Sequence, residues 1–266
     1  MELPNGLVLA RFVRRLNRFA ALVQLDDRQA LAHVPNSGRL RELLRPGRPV
    51  YLAPQQTPGR RTAYDMVLVQ LPHTLVCMDA RLPSALFCEA VREGALAEFQ
   101  GYSRIVPEVR YGDSRIDLLL EGLGDMAPSA GSPVDRLRVS GGYSSLMVRQ
   151  AAHERAPSGG ARQALVETKS ITLVRRGTAL FPDAPTSRGA RHLRTLMQAR
   201  REGLRAAVCF VVQREDARRF RPYDAADTLF GATLREAAAC GVEVHAYRCR
   251  VTPETARIVG RVPVLL

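Results

Sequence analysis

A chain of 266 residues, 46% hydrophobic and 24% charged, is long enough for one large domain or two small ones with real cores, which excludes fibrous and wholly disordered architectures. A formal charge of +13 at pH 7 attracts polyanions, and a nucleic acid is the partner that charge most readily implies. No apolar run approaches the roughly 20 residues of a membrane span. The N-terminus carries Arg11, Arg14, Arg15 and Arg18 with no unbroken apolar stretch, and the five cysteines include no Cys-x-x-Cys pair. The expectation is a cytoplasmic protein with reduced thiols, no membrane association and no structural zinc.

In chain order, residues 1–83 show short runs with strand chemistry: Leu7 to Val13, Phe19 to Leu25, Ala30 to Val34, Pro49 to Ala53 and Tyr64 to Val69. Turn signals such as Asp26-Asp27, Pro35-Asn36-Ser37-Gly38 and Pro46-Gly47 separate them. Five strands in this length predict an OB-like β-barrel. After Pro83 the period becomes helical, with Ser84 the expected N-cap of a helix reaching Glu93. Strands at Arg104 to Tyr111 and Arg115 to Glu121 predict a hairpin about Gly112-Asp113-Ser114. The stretch Gly122 to Arg162 is dense in Gly, Ser and Pro, sustains neither period, and reads as a flexible insertion. A strand from Ala164 to Val174, a helix from about Ser187 to Arg201, a buried strand from Ala206 to Gln213, a helix from Ala225 to Ala239 and a strand from Val242 to Arg250 follow. For residues 84–266 this order predicts a mixed sheet with helices on its faces, so the whole chain is classed as α+β.

The residues capable of chemistry lie on two of those strands. In Val166-Glu167-Thr168-Lys169 the first acid and the lysine are two apart, so they share a strand face. Asp117 lies on the preceding strand among apolar neighbours. If the two strands pair, two carboxylates and an ammonium meet at one place. Carboxylate oxygens completed by water and a phosphate oxygen are what Mg²⁺ accepts, with Mn²⁺ as its substitute. Such a cation activates water, and a nearby ammonium stabilises charge developing on phosphorus. This is a constellation for cleaving phosphodiesters. A surface ion pair worth about 0 to 1 kcal/mol is the plainer reading of Glu167 and Lys169. Lys169 is nevertheless the single lysine among 39 basic residues, so its retention calls for a reason beyond charge.

Five segments in order, Ala32-His33-Val34-Pro35-Asn36-Ser37-Gly38, Ser114-Arg115-Ile116-Asp117, Val166-Glu167-Thr168-Lys169, Phe181-Pro182-Asp183-Ala184-Pro185-Thr186-Ser187-Arg188-Gly189 and Phe210-Val211-Val212-Gln213-Arg214, closely resemble the sugar fermentation stimulation protein (SfsA) family. The resemblance implies an OB-like N-terminal domain followed by a restriction-endonuclease-like domain of the PD-(D/E)xK superfamily. It also implies DNA binding and a link to the regulation of sugar (maltose) metabolism. By the same resemblance Asp117, Glu167 and Lys169 match the D…ExK signature. Glu89, on the helix before the hairpin, takes the place where many such nucleases carry a further metal-site acid. Two departures stand out. The long stretch Gly122 to Arg162 replaces a short turn, at a loop-closure cost that grows only slowly with length. Thr168 stands where a valine is expected, and it keeps the β-branched shape.

Further candidates are binding residues. Thr186 or Ser187 can cap a helix whose free N–H groups and dipole suit a phosphate. Arg188, Arg191, His192 and Thr195 fall on one face of that helix, a track for a DNA backbone, and Asp183 is expected to support the metal site from behind. In the barrel Arg14, Arg15, Arg18, His33, Asn36, Ser37 and Arg39 are candidates for a nucleic-acid groove. Phe12, Phe19, Tyr51 and Tyr64 are its few aromatic residues and are assigned mostly to the core. Duplex DNA held through its phosphates, with little sequence reading, is therefore favoured, and RNA stays open. The expected function is a DNA-binding protein with Mg²⁺-dependent phosphodiester hydrolysis, the alternative a non-enzymatic DNA-binding regulator.

Overall fold

The structure, a computed structural model, describes residues 1–56, 59–123, 137–139 and 161–266. Alternation along the first strands points one set of side chains inward, as in Ala21, Val23 and Leu25. Strands β1 (Val8–Asn17), β2 (Ala20–Leu25), β3 (Arg28–His33), β4 (Pro49–Pro54) and β5 (Tyr64–Gln70) lie in the order β3-β2-β1-β4-β5. Parallel pairs Ala32↔Tyr64 and His33↔Asp65 join β3 to β5 and close the barrel. Register shifts between Phe12 and Arg14 and between Arg15 and Asn17 bend β1, as closure requires. The five expected strands are present, and a sixth, β6 (Leu75–Cys77), extends the sheet from β5.

The second domain begins with α1 (Pro83–Arg92). Pro83 occupies its first turn, where a missing N–H costs nothing, and the capping position falls on Leu82. Ser84 is therefore not the N-cap that its residue type suggested; its hydroxyl reaches Thr168 instead, at 2.9 Å. There follow β7 (Tyr102–Tyr111), β8 (Ser114–Leu123), β9 (Leu137–Val139), β10 (Ala161–Ile171), β11 (Val174–Arg175), β12 (Thr178–Phe181), α2 (Ser187–Arg201), β13 (Arg205–Val212), β14 (Arg219–Pro222), α3 (Thr228–Ala239), β15 (Glu243–Val251) and β16 (Ala256–Arg261). The main sheet runs β16-β15-β13-β10-β8-β7-β9, with β10, β13 and β15 parallel and β8 antiparallel to β10. Strands β11, β12 and β14 form a small second sheet, which, like β16, the sequence pattern did not predict.

Helix α1 covers one face of the main sheet through Phe87 and Val91, packed with Phe99, Leu118, Val166 and Tyr247. On the other face Leu193 and Leu196 of α2 and Phe230 and Leu234 of α3 pack with Leu165, Val208 and Phe210. Buried from both sides, β13 is apolar throughout its interior run. The expected insertion starts later and ends earlier than its composition suggested, because Gly122 and Arg162 pair with each other inside β8 and β10. Gly122 passes so close to the turn before β7 that a Cβ would lie 2.1 Å from the Gly101 carbonyl oxygen. Apart from the backbone of β9, the remainder of that segment lies outside the described residues.

The two domains share a core. Val67, Leu68 and Cys77 of the barrel pack with Leu86, Val211, Cys249 and Ala256. The buried Gln213 side chain donates to the Asp79 carbonyl at 2.9 Å, and the Cys77 N–H donates to the Gln213 carbonyl at 3.0 Å. All five cysteines are free thiols, and only Cys240 is exposed. Among the described residues no helix is long and apolar enough to cross a membrane.

Candidate functional site

The β8–β10 ladder ends at the pair Leu118↔Val166, and beyond it side chains take over from backbone pairing. The Asp117 N–H donates to Glu167 Oε2 at 3.3 Å, and the Thr168 N–H donates to Asp117 Oδ2 at 2.8 Å. Thr168 Oγ1 donates to the same Asp117 oxygen at 2.7 Å, so Ser84 donates to Thr168 in turn. Thr168 is thus more than a shape substitute for valine: its hydroxyl holds the Asp117 carboxylate. Glu167 is 2% exposed, and its Oε1 accepts from both Lys169 Nζ and His192 Nδ1. Because Arg188 Nε donates to His192 Nε2 at 3.4 Å, the imidazole carries its proton on Nδ1.

These contacts push the two carboxyls apart. Burial raises the Asp117 pKa, the Glu167 charge adds to that, and Lys169 and Thr168 only partly oppose it. Burial acts the same way on Glu167, but the Lys169 charge and the His192 and Lys169 hydrogen bonds outweigh it and hold Glu167 below its ordinary value. The Thr168, Lys169 and His192 side chains do not engage Asp117 Oδ1 or Glu167 Oε2, the latter accepting only from the Asp117 N–H at 3.3 Å among the described residues. Two carboxylates with room for water and a phosphate oxygen fit Mg²⁺, which keeps several waters. Among the described residues no group of three or more His, Cys, Asp or Glu side chains is placed to hold a metal ion.

Asp117, Glu167, Thr168 and Lys169 line a cleft of about 670 Å³ between the domains. Its walls include Arg18 and Ser37 of the barrel, Arg81 and Ser84 at the start of α1, Arg115 of β8, and Asp183, Thr186 and Arg188 before and within α2. Thr186 is the α2 cap, accepting from the Gly189 N–H at 3.0 Å. Sequence reasoning did not reach Ser84, Arg81 or Arg115 as site residues. Ser84 looked like a cap, and the two arginines resembled many others. Arg115 was the readable one of the three, because it stands two residues before Asp117 on the same strand.

Several expected site residues are placed otherwise. Glu89 does not line the cleft; it pairs with the Met1 ammonium at 2.5 Å. Asp183 supports a loop rather than the carboxylates: its Oδ2 accepts from the Arg39 N–H at 2.7 Å and the Leu40 N–H at 3.4 Å. Arg15 turns inward and donates to the carbonyls of Asn17, Arg18, Asn36, Gly38 and Arg39. Asn36 reaches the lining of the cleft but is mostly buried, its side chain joining Gly38 to the Met78 carbonyl. His33 pairs with Asp65 at 3.0 Å, away from the cleft. The α2 face is not one exposed track. His192 is 2% exposed beneath it, Thr195 donates to Ser114 Oγ at 2.8 Å, and Arg191 lines a separate hollow beside the β7–β8 turn. Arg14 is exposed on β1 and lies outside the cleft, while Arg39 lines a neighbouring groove.

An OB barrel sharing a core with a mixed α/β domain, with carboxylates and a lysine in the cleft between them, defines the class of protein. Residues 13–78 match the family model described as the SfsA N-terminal OB domain, and residues 81–127 and 152–255 match the sugar fermentation stimulation protein RE domain. The chain belongs to the sugar fermentation stimulation protein family. It is 42% identical to a sugar fermentation stimulation protein homolog of Moorella thermoacetica, covering all of both chains. It is 41% identical to one of Geobacter sulfurreducens, covering all of this chain and 99% of that one. A solved structure described as Pyrococcus furiosus SfsA in complex with Ca²⁺ is 29% identical with a TM-score of 0.77, over 100% of this chain and 98% of that one.

Proposed function

We propose that the chain is a DNA-binding protein whose second domain is a PD-(D/E)xK-type nuclease, with Mg²⁺ or Mn²⁺ held by Asp117 and Glu167. The observation that carries this reading is the meeting of Asp117, Glu167 and the single lysine, Lys169, in one cleft with arginine walls. A bound cation supplies polarisation of the scissile phosphate and a more acidic water. Thr168 and Ser84 orient Asp117, and His192 orients Glu167. Lys169, held by Glu167, presents the ammonium that steadies the attacking water and the charge growing on the phosphate. Arg18, Arg115 and Arg188 neutralise the flanking phosphates. That the Pyrococcus furiosus protein was solved in complex with Ca²⁺ supports a divalent cation in this fold.

The test is incubation with supercoiled, linear and branched DNA in Mg²⁺, Mn²⁺ or EDTA, with a gel shift on the same samples. Metal-dependent nicking is expected, reduced about 100-fold or more in Lys169→Ala while the shift persists. The alternative is a non-catalytic DNA-binding regulator of sugar metabolism. It would be supported by a salt-sensitive shift without cleavage of any substrate.

A further inference from the structure

Resting on the reading that the cleft takes a divalent cation and a phosphodiester, we infer that Arg188 links the two: its Nε fixes the form of the His192 ring that holds Glu167, and its Nη groups take a phosphate, so that a bound phosphate tightens the hold on the cation. Arg188 is then a positioning residue for Glu167 as well as a phosphate ligand.

The start of α2 sets this up. Arg188 and His192 stand one turn apart and share a side of the helix. Thr186 caps the helix, and its own N–H donates to Asp227 Oδ2 at 2.8 Å, which ties the cap to the start of α3. At Gly189 a Cβ would lie 2.8 Å from Thr186 Cγ2 and 3.1 Å from the Phe230 ring, so α2 settles against α3 at a distance that glycine permits. With Gly189, Leu193 and Leu196 buried, Arg188 emerges at the cleft while His192, one turn on, lies 2% exposed beneath it. The other cleft arginines are placed differently: Arg81 is held by Asp79, and Arg115 meets Glu108 at 3.6 Å. Among the described residues, Arg188 is the one cleft arginine bonded to a member of the buried group of Glu167, Lys169 and His192.

A neutral imidazole has one N–H, and the partners of its two nitrogens decide which carries it. Nδ1 must donate, because the Glu167 carboxylate only accepts. Nε2 must accept, because Arg188 Nε only donates. Without Arg188 the proton is free to sit on Nε2, which leaves Nδ1 facing Glu167 lone pair to lone pair. The bond to His192 uses Nε alone; Nη1 and Nη2 have no hydrogen-bond partner among the described residues. The guanidinium is planar and moves as one body, so a phosphate gripped by Nη1 and Nη2 also steadies Nε on the ring. By linkage, the cation then tightens phosphate binding by the same factor. Simple repulsion predicts the reverse, since a guanidinium near a cation disfavours it, and the sign of the effect separates the two accounts.

The test begins without cation or nucleic acid, with the ring-nitrogen chemical shifts of His192 in wild type and Arg188→Ala. Wild type is expected to carry the proton on Nδ1 and the variant to lose that preference. Calorimetric titration should then show Ca²⁺ bound about tenfold more weakly by Arg188→Ala. The loss should disappear when Arg188→Ala is made in His192→Asn, whose amide offers Glu167 an N–H with no ring form to fix. Short duplex DNA should tighten Ca²⁺ binding at least about fivefold more in wild type than in Arg188→Lys, which keeps the charge without the planar fork. Arg188 is exposed, so unchanged thermal unfolding of its variants controls for folding. A wild-type proton on Nε2, an Arg188→Ala variant that binds Ca²⁺ as well as or better than wild type, or an equal loss in the His192→Asn background overturns the link. Equal tightening by duplex in wild type and Arg188→Lys overturns its phosphate half. No Ca²⁺ binding by wild type overturns the cation reading and the link together. The expected shifts and affinities without cleavage of any DNA support the link and leave only the nuclease reading overturned.

Discussion

The floor and the wall of the cleft use charge in opposite ways. On the floor, Asp117, Glu167, Lys169 and His192 are tied to each other or to their neighbours, with Glu167 and His192 almost wholly removed from water. On the wall, Arg15 is consumed by backbone carbonyls, while Arg18 and Arg39 beside it remain exposed without carboxylate partners among the described residues. A buried ionic cluster must satisfy its own members and tolerates little substitution. A displayed cluster needs only a rigid base. The distinction that matters among these arginines is therefore between the one that builds the wall and those that face outward from it.

Removing the builder should have the largest effect on stability. Arg15→Ala leaves the carbonyls of Asn17, Arg18, Asn36, Gly38 and Arg39 without their donor, and a loss of about 2 kcal/mol is expected. Arg39→Ala, by contrast, should stay within about 0.5 kcal/mol of wild type, as exposed substitutions do. Denaturant unfolding of the two variants measures the difference. Equal stabilities would break the contrast between building and displayed arginines.

The same contrast marks what the sequence revealed. Asp117, Glu167 and Lys169 were legible because strand alternation assigns faces locally, and because a lone lysine among arginines stands out. The barrel was legible in its first five strands because turn residues bracket each apolar run. The fate of Arg15, Asn36 and Asp183 was not legible. Asp183 meets Arg39 across 144 positions, and no local period encodes a contact at that separation. His192 lies on the expected helix with a carboxylate, Glu167, as its partner, but it faces inward rather than along an exposed track. Its neighbours Arg188 and Arg191 are exposed, but the packing of the helix turns the imidazole toward Glu167, a tertiary fact. The small sheet of β11, β12 and β14 was hidden because its strands are two to four residues long.

An intermediate effect of the opposite sign is expected on the floor. The folded-state pKa of Asp117 is raised, so its stabilising contribution is full below its ordinary value and is lost as pH rises through the raised one. Glu167 runs the other way: its pKa is lowered, and its contribution is present above the ordinary value and lost on acidification. Asp117→Asn removes the charge that burial and Glu167 disfavour while keeping an oxygen for the Thr168 donors. The variant should be more stable than wild type by about 1 kcal/mol at pH 7 to 8, the usual sense of a trade between a functional site and stability. The gain should vanish below the ordinary carboxylate range, where the wild-type side chain is protonated. Thermal unfolding across pH 3 to 8 measures this, and a destabilised variant at neutral pH would mean that the Asp117 charge is compensated better than its surroundings indicate.

The smallest effect concerns the carboxylate that the fold leaves outside. Glu89 is about one third exposed and its partner is the Met1 ammonium, so Glu89→Gln should cost no more than about 1 kcal/mol. It should also leave divalent-cation affinity where it was, since the residue lines no wall of the cleft. Glu167→Gln, which alters a carboxylate between Lys169 and His192, should weaken cation binding about tenfold or more. Calorimetric titration of Ca²⁺ or Mn²⁺ into the two variants compares an acid that shares the helix with one that shares the cleft. If Glu89→Gln lost affinity to the same degree, α1 would have to turn its Glu89 face toward Asp117 when the cation binds, and the pairing with Met1 would be the resting arrangement of a movable ligand.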